Sequence, residues 1–199
     1  MELETVTEAV LGRIFIEMEA SGRHVHVTKK QAQALFGHSL TPKRELSQPG
    51  QFLAEERVTV VGPKGRFSSV AVLGPERPEG QVEISLTDSK TLGIPAPVRL
   101  SGNVKDTPGA ALEGPMGTVT LSQGVIAAQR HIHMTPESAG LMGVRDKEIV
   151  KLQTYSARPV IFEDVAVRVS PHFRTRVHLD YDEANACGWS PGDLGRIVK

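Results

Sequence analysis

The sequence predicts a mainly β protein built from two related modules, which a tandem duplication would explain. Short segments with the two-residue alternation of strands are separated by turns, and the 199 residues include 19 glycines and 13 prolines. Three segments from one half also recur in the same order in the other half. Many short strands with few helices favour barrels or sandwiches over layered α/β folds.

The strongest local pattern is a hairpin over residues 57–73, with a turn at Gly62–Gly65. At the N-terminus, Leu3, Val6, Val10 and Ile14 recur at helical spacing, which predicts that residues 1–12 form a short amphipathic helix. Further strands are predicted at 98–100, 117–121, 124–133, 149–153, 165–169 and 176–179, and further short helices at 29–36, 136–141 and 182–187.

The internal repeat begins with a shared Arg-His-aliphatic-His motif. In both halves a strand-like His-x-His leads into a Thr, a short helical segment and a Gly. The aligned pairs are SGRHVHVTKKQAQALFG (21–37) with AQRHIHMTPESAGLMG (128–143), SSVAVLGP (68–75) with EDVAVRVSP (163–171), and VEISLTDSKTLG (82–93) with VHLDYDEANACG (177–188).

The repeat predicts a metal site in each half. Residues i and i+2 of a strand project from one face about 6–7 Å apart, so two imidazoles can converge on one cation. A third ligand from a later strand would leave an open position, as in catalytic zinc sites. Such donors suit zinc, cobalt, manganese or iron. The two sets are His24, His26 and Glu83, and His131, His133 and His178.

Composition excludes several classes of protein and partner. Lys plus Arg and Asp plus Glu both number 23, so no strong basic field points to nucleic acid or to a membrane. No apolar run approaches the ~20 residues of a membrane span, and the acidic N-terminus does not read as a secretory signal. The single cysteine, Cys187, permits no intrachain disulfide and suits a reducing cytoplasm.

Longer motifs carry a resemblance to a known family. The sequence from about residue 13 to 190 resembles the phosphate propanoyltransferases, the phosphotransacylases of bacterial microcompartments. The resemblance rests on RHVHVT, LSQPGQFLAEERV (46–58), VEISLTDSKTLGIPAPVRLSGN (82–103), VIAAQRHIHM (125–134) and HLDYDEANACG (178–188).

This resemblance implies two β-barrels capped by short helices, with two zinc ions in a dinuclear site at the junction. One barrel would span residues 23–128, and the other would combine 129–199 with 13–22. Residues 1–12, predicted above as an amphipathic helix, would alternatively form a packaging extension. The six residues proposed from the repeat match the zinc ligands of the family. The implied reaction converts a short-chain acyl-CoA, propanoyl or acetyl, and phosphate reversibly into acyl phosphate and coenzyme A.

The resemblance also implies substrate contacts. Arg77 matches a phosphate-binding arginine, and Ser101 matches a polar residue near that site. Ser21, Leu73, His178 and Asn185 match contacts to coenzyme A. Two departures, Gly22 in place of Asn and Ala71 in place of Arg, bear on how this chain holds coenzyme A.

Two other functions remain compatible with the sequence. A metal-dependent hydrolase of thioesters or phosphoesters would use the same ligands with water in place of phosphate. A non-catalytic two-barrel module would only hold metal. We expect a homo-oligomer, located in the bacterial cytoplasm or in the microcompartment lumen among shell or lumen proteins, and no nucleic-acid or membrane partner.

Overall fold

The computed structural model describes residues 11, 12 and 14–198. The helix predicted for residues 1–12 therefore lies almost wholly outside the described residues. The chain divides into two compact units: a central unit of residues 22–128, and a flanking unit formed by the residues before 22 and after 128. Among the described residues, no helix has both the length and the apolar character required to span a bilayer.

The described residues are mainly β, as predicted. The strands are β1 (Ile16–Ser21), β2 (His24–His26), β3 (Pro42–Glu45), β4 (Phe52–Val61), β5 (Arg66–Gly74), β6 (Gln81–Ile84), β7 (Val98–Arg99), β8 (Ala110–Gly114), β9 (Gly117–Leu121), β10 (Val125–Ala128), β11 (His131–Met134), β12 (Ile149–Tyr155), β13 (Ile161–Val169), β14 (Arg176–Asp180) and β15 (Leu194–Val198). The helices are α1 (Lys29–Phe36), α2 (Leu86–Leu92), α3 (Pro136–Met142) and α4 (Tyr181–Cys187).

Capping residues explain where these short helices begin and end. Each follows an N-cap whose side-chain oxygen accepts a hydrogen bond from a backbone N–H of the first turn. Each ends at a glycine with a left-handed backbone conformation, which glycine adopts without strain. The N-caps are Thr28, Ser85, Thr135 and Asp180, and the terminating glycines are Gly37, Gly93, Gly143 and Gly188.

Helix α2 was not predicted from the sequence. Its residues, LTDSKTL, include two Thr, a Ser and an Asp, which are weak helix formers. A reciprocal capping box between Ser85 and Asp88 stabilises its N-terminus. The other short helices form within one residue of their predicted bounds.

The flanking unit contains a closed six-stranded barrel in the order β1-β14-β11-β13-β12-β15. Strand β1 runs parallel to β14 and closes the barrel through an antiparallel pairing with β15. Buried side chains such as Met18, Ile132, Leu152 and Val177 form its core.

The central unit contains a curled nine-stranded sheet rather than a barrel closed by a ladder. Its order is β7-β10-β6-β2-β5-β4-β8-β9, and β3 pairs with β4. The hairpin predicted over residues 57–73 is confirmed as β4 and β5, although β4 begins earlier, at Phe52. The Val125 N–H donates to the Pro108 carbonyl at 2.9 Å, so one backbone hydrogen bond links β10 to the segment that precedes β8.

The strands that carry the repeated motifs are paired in the same way in both units. Strand β2 is parallel to β5 and antiparallel to β6, and β11 is likewise parallel to β13 and antiparallel to β14. Ser69 in β5 and Asp164 in β13 have positive φ values, 57° and 52°, and both lie where the pairing register shifts. Such β-bulges bend a strand and help a sheet to curl.

The prediction of one strand over residues 124–133 is wrong. The segment forms two strands, β10 in the central unit and β11 in the flanking unit. Gln129 and Arg130 lie between them, and Arg130 binds the Glu163 carbonyl and the Glu183 carboxylate. The chain therefore leaves one sheet and enters another within a continuous run predicted as a single strand.

Candidate metal centres

In the central unit, two adjacent strands bring together His24, His26 and Glu83. The two histidines lie on β2, and Glu83 lies on β6 directly opposite His24 in the antiparallel pair. Glu83 Oε1 is 3.5 Å from His24 Nε2 and 3.7 Å from His26 Nε2. All three side chains are buried. We refer to them as the central triad.

The donor atoms of the central triad fit a small cation. One potential ligand atom from each residue lies within 4.8 Å of the other two. Two ligands of a tetrahedral zinc ion, each with a bond of about 2.0–2.1 Å, are separated by about 3.3 Å. The two distances from Glu83 Oε1 to the imidazole nitrogens, 3.5 Å and 3.7 Å, are close to that spacing.

Backbone carbonyl groups orient the imidazole rings. His24 Nδ1 lies 2.9 Å from the Gly22 carbonyl oxygen, and His26 Nδ1 lies 3.1 Å from that of Leu73. A carbonyl oxygen only accepts, so Nδ1 is the donor, and Nε2 has a free lone pair whenever the ring is neutral. Histidine ligands of metal ions are commonly oriented in this way.

The electrostatics of the central triad follow from burial and from the Glu83 carboxylate. Burial is the main cause that lowers the pKa of His26 to about 4, so this ring is neutral near pH 7. Burial acts against ionisation of Glu83, but the adjacent imidazoles hold its pKa well below the usual range. Burial would also lower the pKa of His24, yet the Glu83 carboxylate raises it above its ordinary value.

The flanking unit brings together His131, His133 and His178, which we call the flanking triad. His178 on β14 lies directly opposite His131 on β11, the same register as Glu83 and His24. The ring centroids are 4.6–5.0 Å apart, and one ligand atom from each residue lies within 4.8 Å of the others. The Gln129 carbonyl oxygen lies 2.8 Å from His131 Nδ1, which corresponds to the contact between the Gly22 carbonyl oxygen and His24 Nδ1 in the central unit.

Arg77 and Ser101 join the central triad through hydrogen bonds. Arg77 Nη1 donates to Ser101 Oγ at 3.1 Å, and Ser101 Oγ donates to Glu83 Oε1 at 2.7 Å. The Arg77 backbone N–H also donates to the Val27 carbonyl, which holds the arginine turn near the end of β2. The structure therefore places a guanidinium group one hydroxyl away from the Glu83 carboxylate.

The residues matched to coenzyme A contacts fall in both units. Ser21 is the last residue of β1 and pairs in register with Asp180, the N-cap of α4. Asn185 lies on α4 and is exposed. Leu73 lies in β5, and its carbonyl oxygen contacts His26. The contacts to coenzyme A assigned to these residues stay predictions.

The two departures from the family pattern lie beside the first histidine of the central triad. Gly22 supplies the carbonyl oxygen that contacts His24 Nδ1, and a backbone carbonyl is present whichever residue stands there. Ala71 is the neighbour of His24 in the parallel pair of β2 and β5.

Sequence analysis missed one buried residue at the central triad. Gln81 donates through Nε2 to Glu83 Oε1 at 2.5 Å and to Ser101 Oγ at 2.9 Å. Its Oε1 atom accepts from the Gly102 N–H. Because Gln81 precedes Glu83 by two residues on a strand, the period of two could have placed both side chains on one face.

The arginines of the repeated motif were also missed. Arg23 and Arg130 each bind a carboxylate on the helix that follows the third member of the triad. Two signals were available: the arginine itself recurs in both motifs, and Ser85-x-x-Asp88 and Asp180-x-x-Glu183 both read as capping boxes.

Comparisons with known proteins identify relatives over nearly the whole chain. A family model described as phosphate propanoyltransferase matches residues 17–190. Proteins named phosphate propanoyltransferase from Enterococcus faecalis and Listeria monocytogenes are 52% and 51% identical, each covering 99% of this chain, and 97% and 93% of their own length is matched. One from Salmonella typhimurium is 49% identical over 92% of this chain and 89% of its own length.

These relations define an enzyme of the transferase class. The chain belongs to the phosphate propanoyltransferase family, which confirms the resemblance described from its motifs.

Proposed function

We propose that this chain transfers a short acyl group, propanoyl or acetyl, between coenzyme A and phosphate, with one zinc ion at each triad. The observation that carries the proposal is the pair of triads with matching register, buried except for the half-buried His178, in a chain about half identical to phosphate propanoyltransferases. Three protein ligands per ion leave a coordination position open, which favours catalytic over purely structural zinc.

The reaction balances without a covalent intermediate on the protein. A phosphate oxygen attacks the thioester carbonyl carbon, the carbon–sulfur bond breaks, and acyl phosphate and coenzyme A are released. The proton lost by phosphate ends on the thiol. Zinc bound by the triads would supply a Lewis acid for phosphate oxygens and for the sulfur that leaves.

Arg77 is the residue that we propose binds phosphate. Its planar guanidinium group can donate two parallel hydrogen bonds to a pair of phosphate oxygens. Ser101 supplies a hydroxyl that already contacts both Arg77 and Glu83. This link would hold phosphate in a defined orientation relative to the central triad, and orientation of reactants is a large part of rate enhancement.

For coenzyme A, we propose contacts from Ser21, Leu73, His178 and Asn185. The presence of Ala71 removes a cation that the family pattern provides, so this chain would bind the phosphate groups of coenzyme A through fewer charge-assisted contacts. A location in a microcompartment lumen and an oligomeric assembly remain part of the proposal.

The decisive experiment measures release of free thiol from propanoyl-CoA with and without inorganic phosphate. Acyl phosphate is trapped in parallel with hydroxylamine, and the zinc content of the same sample is determined. We expect thiol release that requires phosphate, with one acyl phosphate formed for each thiol. Chelation should abolish the reaction, and added zinc should restore it. The Arg66→Ala variant, altered at an exposed ion pair with Glu113, serves as a control.

Different results would support different functions. Thiol release without phosphate, with only the carboxylate formed, would reject the transferase and favour a thioester hydrolase. No release from any short acyl-CoA, in protein that holds both zinc ions, would favour a metal-binding module.

A further inference from the structure

In the central unit, Arg23 connects the strand that carries the histidine pair to helix α2. Its Nε and Nη2 atoms donate to the two carboxylate oxygens of Asp88, at 2.9 Å and 2.7 Å. Asp88 is buried and also closes the capping box with Ser85. The guanidinium carbon lies 4.1 Å from the centre of the Phe67 ring. These contacts fix the guanidinium group in both position and plane.

The flanking unit repeats this arrangement. Arg130 Nη1 donates to Glu183 Oε1 at 2.7 Å, and Glu183 closes the capping box with Asp180. The Arg130 guanidinium carbon lies 5.6 Å from the centre of the Phe162 ring. Arg130 also donates through Nε to the Glu163 carbonyl. We call each arginine and its carboxylate partner a brace.

The two braces occupy the same positions relative to their triads in the sequence. In each unit the arginine directly precedes the first histidine of the triad, and the carboxylate follows the third ligand by five residues. The arginine is adjacent in sequence to the first histidine, which pairs across two strands with the third member of the triad. The helix that follows this third member carries the carboxylate that binds the same arginine. Because the same arrangement occurs in both units, a role that both triads share would explain it.

We propose that Arg23 and Arg130 are positioning residues, each setting the metal affinity of its own triad. The reason is mechanical. Strand β2 has three residues and β6 has four, so few backbone hydrogen bonds hold Glu83 opposite His24. A bidentate, partly buried ion pair one residue from the pair of histidines restrains both strands at that point. Outer partners that orient ligands commonly change metal affinity by about 10–100-fold when removed.

This inference rests on the proposal that the triads bind metal. The test therefore begins with zinc titration of the unaltered protein, using competition with a chromophoric chelator. Single-site proteins are then made: His133→Ala should retain only the central triad, and His26→Ala only the flanking triad. Arg23→Lys, Arg130→Lys and the control Arg66→Lys are introduced into each of them. Lysine keeps the positive charge but loses the planar fork.

We expect Arg23→Lys to weaken zinc binding about tenfold or more where only the central triad remains, and to leave the flanking triad unchanged. Arg130→Lys should show the reverse pattern, and Arg66→Lys should change neither. Thermal unfolding of each metal-free variant separates stability from affinity. Asp88→Asn is a second route to the same loss, since its amide oxygen can still accept the N–H of Ser85 while it no longer offers Arg23 a carboxylate.

Three outcomes would overturn the inference. Unaltered zinc affinity in a folded Arg23→Lys protein would show that the brace only stabilises the fold. Equal weakening of both triads by either variant would show a global effect. If the unaltered protein binds no zinc, then the metal proposal itself fails and the positioning role falls with it.

Discussion

Glu83 stands directly across the antiparallel pair of β2 and β6 from His24, with its Oε1 atom 3.5 Å from His24 Nε2. His178 holds the same position relative to His131 in the barrel. Strand register therefore determines the third member of each triad. A slip of one residue would turn that side chain to the opposite face of the sheet, so the proposed metal binding depends directly on backbone pairing.

The first prediction concerns metal stoichiometry. We expect two zinc ions per chain, because each unit assembles one triad of potential donors. His26→Ala and His133→Ala should each lower the zinc content by about one ion, since two remaining ligands hold zinc poorly. Elemental analysis of purified protein measures this directly. His172→Ala, at an exposed histidine outside both triads, is the matched control and should retain both ions.

The second prediction concerns phosphate. Arg77→Ala should reduce catalytic efficiency with phosphate by about ten- to a hundredfold, because a lost hydrogen bond to a charged group costs about 1.5–3 kcal/mol. The KM for acyl-CoA should change much less. Steady-state kinetics with each substrate varied in turn provide the comparison, and Arg66→Ala is the control. Unchanged phosphate kinetics would mean that Arg77 serves only to hold Ser101.

The third prediction concerns Gln81. Gln81→Ala removes the donor to Glu83 and Ser101 and the acceptor for the Gly102 N–H. Buried polar groups left without their partners should lower the free energy of unfolding by about 1–3 kcal/mol. Chemical denaturation measures this change. Zinc affinity of the central triad should also fall.

An exposed glutamine provides the comparison for Gln81. Gln33 lies on helix α1 and donates only to the Gly37 carbonyl, so Gln33→Ala should change stability and zinc binding little. Equal effects of the two substitutions would contradict a specific role for Gln81.

The fourth prediction concerns the single cysteine. Burial raises the pKa of the Cys187 thiol, and its sulfur donates to the Ala184 carbonyl. A raised pKa leaves little thiolate near neutral pH, so the folded protein should resist thiol reagents and react faster only as the pH rises above the range for a free cysteine. The unfolded chain should expose one reactive thiol.

Activity supplies the complementary test of Cys187. Cys187→Ala should keep the transferase reaction, because the proposed chemistry needs no acyl-enzyme. Loss of activity in a folded, zinc-loaded variant would point to a covalent thioester intermediate and would reject direct attack by phosphate.

Some structural features are invisible in local sequence patterns. The run at residues 124–133 is predicted as one strand, yet it belongs to two sheets, because a local sequence pattern does not reveal which partner strand is adjacent. Helix α2 lacks strong helix formers and depends on its capping box, a contribution that composition underestimates. Among the described residues, the flanking unit forms a closed barrel, whereas the central unit forms an open sheet in which the Val125 N–H donates to the Pro108 carbonyl.

The sequence by itself determined the mainly β class, the duplication and the six donor residues, because these follow from short-range periodicity and from motifs repeated in order. Only the tertiary structure decided what surrounds those donors. Arg77 reaches Ser101 across 24 residues, and Arg23 reaches Asp88 across 65. Such contacts depend on which strands become neighbours and in what register, and that outcome reflects packing of the whole chain rather than the properties of any one segment.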